Sequence, residues 1–385
     1  MKIRSSDVLI LGAGPAGLRA GLKCLGKRKV TFLDKDGFGK RILVSGNGRA
    51  NFFNELLLKE ETYASYPFQD VKDIVFSSGE NKAQEFFSYL TKQLGFAYRK
   101  EGNLCYPFFN RSECLNNFLK EELNNLHAEF LKGQAKEIKK NSLIYLDENG
   151  EENQIQFQDL VLALGGESYD RKERGNDSLL SCFQIKKTPY QSCLCPLVVQ
   201  EKIPPYLKNQ RLKGTLSFYC KNQQIYSETG EILFKKNGLS GICVFNASLY
   251  LRQALKEAKW KDRKRKIDYY PEEYDNLPRS CYPTFLISYL KEIKSDFGKP
   301  LVFHPSGFYP LKESQASYGG ISLSEVNHSN RQRIKYPHIY RLGERLSPCF
   351  PCGGFNRGIS FIEGYIAGKA LANETELSGK NRGTL

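Results

Sequence analysis

The chain has 385 residues and a formal net charge of +15, from 57 Lys plus Arg against 42 Asp plus Glu. At 40% hydrophobic and 26% charged, its composition is that of an ordinary globular protein and excludes a disordered or fibrous chain. The length suggests two or three domains. The charge favours anionic partners (a phosphate-bearing cofactor, a nucleic acid or an acidic membrane surface) without choosing among them.

Residues 7–11 form a short apolar run, the pattern of a strand buried on both faces. Gly12-Ala13-Gly14-Pro15-Ala16-Gly17 follows, then helical spacing at Leu18, Leu22 and Leu25. Pro15 stands where a first-turn proline is tolerated, and Gly26 where a helix C-terminal glycine belongs. A second strand over 30–33 ends in Asp34. Helices are expected over 81–94 and 112–126, and residues 160–164 read as another buried strand, closed by Gly165-Gly166. The texture changes near 188–196. Between 197 and 244 the segments 214–219 and 231–234 alternate or run β-branched and aromatic, which predicts a small antiparallel sheet or barrel. Helical spacing returns over 248–260, and the charge run 262–266 reads as a solvated loop. Strand texture follows over 301–323, and a final helix is expected over 357–371.

The expected layout is a nucleotide-binding domain of residues 1–190 plus 319–385, split by an insertion. The insertion comprises a β-barrel or substrate domain, 191–248 plus 300–318, and a small helical insert, 249–299. No apolar stretch approaches the about 20 residues that span a bilayer, and Asp7 stands where a signal peptide would be apolar. A cytoplasmic protein with no membrane partner is therefore expected, its eleven cysteines free thiols. Neither Cys193-x-Cys195 nor Cys349-x-x-Cys352 is matched to a zinc-like set, so no metal is expected.

A lone GxGxxG is weak evidence. Here it follows a strand, opens a helix and precedes an acidic residue at the right distance, as the dinucleotide fingerprint requires. Gly12 allows the tight turn, Gly14 lets the backbone approach a pyrophosphate, and Gly17 permits close helix–strand packing. The helix N-terminus supplies N–H groups and a positive dipole for phosphates. Asp34 suits a ribose with free hydroxyls. The fingerprint serves FAD and NAD alike, but no second GxGxxG marks a separate nicotinamide domain.

Further along, Gly39-Lys40-Arg41-Ile42-Leu43-Val44-Ser45-Gly46-Asn47-Gly48-Arg49-Ala50-Asn51 resembles the G-x-K-x-L-x-S-G-G-G-R-C-N segment of the BaiN/aminoacetone-oxidase-like (YhiN-type) flavoproteins. Ala163-Leu164-Gly165-Gly166-Glu167-Ser168-Tyr169 is similar to that family's A-T-G-G-x-S-Y. The segments 230–241 and 319–327 resemble its G-E-x-L-F-T…G-L-S-G-P and G-G-V…E-V-N. Gly343-Glu344 with Cys352-Gly353-Gly354-Phe355-Asn356 resembles its G-E…C-G-G-Y-N. The matches span nearly the whole chain in the family's order.

The resemblance implies FAD and an α/β fold in which a Rossmann-like FAD-binding domain is split by an inserted β-barrel and a small helical domain. It places the pyrophosphate at Gly12, Gly14, Pro15, Ala16 and Gly17, and the adenosine ribose at Asp34 and Lys35. Arg41, Ser45, Gly46, Gly48 and Arg49 would lie along the cofactor, with Ala135, Ala163, Gly165 and Gly166 around it. Gly343, Glu344, Gly354, Phe355 and Asn356 would lie near the ribityl chain and flavin ring. It implies a FAD-dependent oxidoreductase acting on a small organic substrate, by amine oxidation or by reduction of a conjugated C=C, with hydride passing through flavin N5. NAD(P)H is then a candidate electron donor. Alternatives are a flavoprotein binding tRNA, for which no nucleic-acid motif is present, and a flavin-bearing regulatory or electron-transfer protein. No residue identifies itself as a catalytic acid or base; Tyr169, Glu344 and His304 are nominees. The chain departs from the family at Asn47 and Ala50, and 345–351 replaces an acidic loop with a Pro- and Cys-containing one. The C-x-x-C pair this creates suggests dithiol chemistry beside the flavin.

Overall fold

The computed structural model describes residues 1–44, 48–77, 79–166, 179, 183, 187–255, 265–272, 278–336, 338–343 and 348–380. They divide into two compact units. The first is drawn from Met1–Gly166, Lys172–Tyr190 and Tyr318–Leu385, the second from Gln191–Ser317.

The first unit carries, in chain order, β1 (Ile3–Leu11), α1 (Pro15–Cys24), β2 (Val30–Asp34), α2 (Ser112–Asn125), β3 (Glu129–Lys139), β4 (Ser142–Asp147), β5 (Glu152–Leu162), β6 (Ile339–Arg341) and α3 (Phe355–Lys380). Strands β3, β2, β1, β5 and β6 lie side by side in that order, all parallel. Register is set at the centre, where Leu11 faces Leu33 on one side and Leu162 on the other. β3 and β5 are eleven residues long because their far halves pair antiparallel with β4. Val8, Leu9, Ile10 and Leu11 are all buried, since successive side chains enter opposite cores. Val8, Ile10, Val30, Phe32 and Val161 face the core built with α1 and α3; Leu9, Leu11, Leu33, Leu160 and Leu162 face the other. This two-sided burial is why β1 reads as an unbroken apolar run rather than an alternation.

Helix α1 is narrow on two faces. A Cβ on Gly21 would come 2.2 Å from the Phe32 ring, and one on Gly17 3.2 Å from Ile10, so these glycines let α1 lie against the sheet. On its other face Ala16 and Ala20 meet α3, where a Cβ on Gly364 would fall 2.3 Å from the Ala16 carbonyl and one on Gly368 2.5 Å from that of Ala20. Arg19, fully buried between them, packs over Tyr89 at 4.2 Å and Tyr365 at 4.8 Å. Burial lowers its pKa to about 10.

The second unit is a seven-stranded antiparallel sheet that supplies the inserted barrel. Its strand order is Leu301–Phe303, Arg265–Pro271, Arg211–Cys220, Gln223–Lys235, Gly238–Ser240, Leu197–Val199 and Pro305–Phe308. Helices Ile242–Leu255 and Thr284–Glu292 complete it. Leu216, Phe218, Ile232, Phe234, Ile267 and Tyr269 form its core with Val244, Ala247, Leu286 and Leu290 from the helices. The stretch expected as a helical insert, 249–299, does hold helix, but a strand lies between the two helices. Arg265–Pro271 is paired on both sides, because Ile267 and Tyr269 alternate inward as the barrel core requires. The chain leaves and re-enters the first unit along two paired strands, Lys187–Cys193 and Ala316–Ile321.

Candidate functional site

The candidate site is built at the carboxyl end of β1, where an open parallel sheet places ligands. Gly12 has φ +103, and a Cβ there would lie 2.3 Å from the Ala163 carbonyl oxygen. No other residue type fits that turn. Gly17 is equally constrained, its Cβ position 2.1 Å from the Gly12 oxygen. Gly14 differs from both. Its backbone is extended, φ −90 and ψ −174, and a Cβ would meet nothing within 4 Å. It caps α1, a helix with no acidic residue in its first turn and no side-chain cap, so among the described residues no side chain caps the first-turn N–H groups. Open space above Gly14, bounded by uncapped N–H groups and a helix dipole, fits a pyrophosphate.

Asp34 ends β2 and lies within reach of the turn. One of its oxygens accepts the Ala13 N–H at 2.8 Å and the other the Asp36 N–H at 2.7 Å. It thus ties the glycine turn to β2, and each oxygen retains capacity for a ribose hydroxyl. Lys35, half-buried, follows it. Ala163 continues β5, its N–H bonded to the Leu11 carbonyl at 2.8 Å, and Gly165 (φ +69) and Gly166 come next. Gly343 follows β6, and a Cβ on it would lie 3.5 Å from that of Ala16. The structure therefore gathers Gly12, Gly14, Pro15, Ala16, Gly17, Asp34, Ala163 and Gly343 at one end of the sheet.

The other expected residues are placed less directly. Arg41 lies in the short helix Lys40–Leu43. Gly48 has φ +82 and open space around it. Arg49 turns to Glu101 at 2.5 Å and stacks at 4.2 Å over Tyr106, both in a neighbouring hairpin. Ala135 lies in β3 beside the irregularity between Ala135 and Glu137. Gly353 (φ +105) and Gly354 (φ +90) precede α3, with a Cβ on Gly354 2.8 Å from the Phe53 carbonyl oxygen. Phe355 is buried in the core. Asn356, expected near the flavin, holds the loop before it with its amide. Its oxygen accepts from Phe350 N–H at 3.0 Å and its nitrogen donates to the Phe350 carbonyl at 2.6 Å. Ser45, Gly46, Glu344 and Tyr169 lie outside the described residues. His304 belongs to the second unit, where its Nδ1 meets Glu201 at 2.6 Å. Cys349 is buried, its Sγ directed at the Phe350 carbonyl 3.9 Å away, and Cys352 is half-buried.

Sequence reasoning missed a buried pair behind the site. Glu363 in α3 accepts from Arg331 at 2.8 Å and from the Gly343 N–H at 2.6 Å. An acid inside Phe361-Ile362-Glu363-Gly364-Tyr365-Ile366 was the available signal. Gly364-x-x-x-Gly368 was likewise the readable sign of close helix packing. An open 610 Å³ cleft beside Ser5, Asp7, Lys29, Lys139 and Lys140 sits at the opposite end of β1 and is not this site.

The family model for the HI0933-like protein Rossmann domain matches residues 6–370. The chain belongs to that family. It is 24% identical over 410 residues to a 3-dehydro-bile acid delta(4,6)-reductase of Clostridium scindens, covering 94% of this chain and 98% of the relative. It is 23% identical over 407 residues to a ribosomal RNA dihydrouridine synthase of Haemophilus influenzae, covering 96% and 99%. In fold it is similar to the 3-ketosteroid delta1-dehydrogenase of Sterolibacterium denitrificans, with a TM-score of 0.54 at 11% identity, covering 96% of this chain and all of that one. The cofactor of this HI0933-like protein is FAD, and the protein is a FAD-dependent oxidoreductase. Among the described residues, no helix is long and apolar enough to cross a membrane.

Proposed function

We propose that this oxidoreductase reduces a carbon–carbon double bond conjugated to a carbonyl in a small organic molecule, with a reduced nicotinamide as electron donor. The phosphate cradle at Gly14 on α1, with Asp34 and Gly343 beside it, supports the flavin part of the reading. The reductive part is carried by the names of two relatives, a delta(4,6)-reductase and a dihydrouridine synthase, names for adding hydrogen across an unsaturated system. FAD, when bound, supplies the hydride-carrying centre. The residues of this chain bind and orient it. The α1 N-terminus offers N–H groups to the phosphates, Asp34 offers carboxylate oxygens to the ribose, and the Gly343 turn closes the side formed by Ala16.

The test is anaerobic. Purified holoprotein is mixed with NADH or NADPH, and the oxidised flavin absorbance is followed before and after adding a conjugated enone. Bleaching by nicotinamide and recovery with enone support the reading. Flavin that ignores both nicotinamides but is bleached by a primary amine would make the protein an amine oxidase instead. A second reading, an RNA substrate, draws on the +15 charge and on the name of the second relative. RNA that restores the oxidised spectrum where small enones do not would favour it.

A further inference from the structure

Glu363 is 3% exposed and Arg331 0%. Burying an ion pair this completely gains little stability, because removing both charges from water offsets their attraction. Burial is the largest influence on each partner, raising the pKa of Glu363 and lowering that of Arg331. The Nε and Nη1 of Arg331 are also buried without a hydrogen-bond partner among the described residues. Such a pair needs a reason beyond stability, and the second ligand of Glu363 supplies one. That ligand is the N–H of Gly343, a residue at φ +75 whose Cβ position faces Ala16 in the first turn of α1. The carboxylate reaches from α3 to the loop that closes the phosphate cradle. We propose that Glu363 is a positioning residue for FAD: held as a carboxylate by Arg331, it fixes the Gly343 turn against the N-terminus of α1 and so sets cofactor affinity.

Arg331 and the Gly343 N–H are the groups that act on Glu363 across the loop, and Arg331 is the charged one. The small cavity beside the carboxylate is lined by Val71, Gly343, Pro348, Phe350, Asn356, Ile359 and Ser360, none of them titratable. Protonation of Glu363 would therefore weaken the Arg331 pair and loosen the turn. Because burial raises its pKa, this occurs on acidification before ordinary carboxylates protonate. FAD affinity should fall with pH across that range.

The experiment measures the dissociation constant of FAD by flavin fluorescence across pH, with apoprotein melting as a control. In Glu363→Gln the amide can offer its oxygen to Gly343 or to Arg331 but must set its NH₂ against the other. FAD binding should weaken by about tenfold or more, with the pH step abolished. The double variant Glu363→Gln with Arg331→Met removes the competing donor, frees the oxygen for Gly343 and should recover most of the affinity. A purely structural pair would not give that recovery. Wild-type affinity in Glu363→Gln across pH, or a double variant no better than the single, overturns the proposal. Should Glu363→Gln fail to fold, Glu363→Asp serves instead. It keeps the charge for Arg331 but falls one methylene short of Gly343, so loss of affinity supports the proposal and wild-type affinity overturns it.

Discussion

Gly14 and Gly17 sit three residues apart in one motif, and the structure gives them separable jobs. A methyl group at Gly14 meets no protein atom within 4 Å, and the backbone there is ordinary for any residue. Gly14→Ala gives up about 0.5–1 kcal/mol of helix capping preference. It regains a similar amount by restricting the unfolded chain. The apoprotein should therefore melt close to wild type. The same methyl projects into the space above the helix N-terminus, where a pyrophosphate must come within hydrogen-bond distance of backbone N–H groups. Loss of one charge-assisted bond there is worth about 1.5–3 kcal/mol, or about tenfold to a hundredfold in FAD affinity. Gly17→Ala behaves in the opposite way. Its Cβ would lie 2.1 Å from the Gly12 oxygen and 3.2 Å from Ala163 Cβ, both in the sheet-facing core. Backbone cannot yield as a side-chain tip does, so overpacking costs about 1–3 kcal/mol or more, at about 2–4 °C of melting temperature per kcal/mol. Fluorescence titration with FAD and thermal melting of the two apoproteins read the two effects separately. A Gly14→Ala protein that binds FAD like wild type, or a Gly17→Ala protein that melts like it, would refute the assignment.

Asp34→Ala removes acceptors from Ala13 and Asp36 as well as any ribose contact. It should weaken FAD by about 1.5–3 kcal/mol and also lower the melting temperature; unchanged FAD retention would take Asp34 out of the site. Gly364→Ala should lower the melting temperature by forcing α3 off α1, since its Cβ would sit 2.3 Å from the Ala16 carbonyl oxygen, at a cost of about 1–3 kcal/mol. A melting curve identical to wild type would show that the two helices pack otherwise. Burial pushes the Cys24 and Cys105 thiols up to about 12, so at pH 8 neither carries appreciable thiolate. Native protein treated with a thiol-alkylating reagent should be labelled at exposed Cys281 and not at these two, as read by peptide mass spectrometry. Labelling of Cys24 in folded protein would contradict its burial.

The first βαβ unit was legible in the sequence because its constraints are local. Gly12, Pro15, Gly17 and Gly26 each answer a backbone or packing requirement set within a few residues, and the apolar run 7–11 follows from burial on both faces. The barrel was legible as a texture, since alternation along 214–219 and 231–234 reports one buried face per strand. The strand Arg265–Pro271 was not: the charge run 262–266, expected as a solvated loop, supplies its first two residues, with Arg265 buried and both paired, while 262–264 lie outside the described residues. β4 was missed although its pairing is local: it joins β3 and β5 through the short turns 140–141 and 148–151, and Asn149-Gly150 was a readable turn signal.

The candidate site divides along the same line. The sequence by itself determined that a glycine turn would open a helix after β1 with an acid following β2, because steric limits on φ and the geometry of a helix N-terminus belong to neighbouring residues. Only the tertiary structure decided which of these positions are interchangeable with a side chain. Gly14 faces open space and Gly17 faces a carbonyl, a difference set by atoms of β1 and Ala163 rather than by the motif. It also decided that Arg49 meets Glu101 and that Glu363 meets Gly343 across 20 positions. Those partners are chosen by where distant segments pack. Buried charge and amide groups must find whatever acceptor or donor the fold brings near, and no local pattern encodes that neighbour.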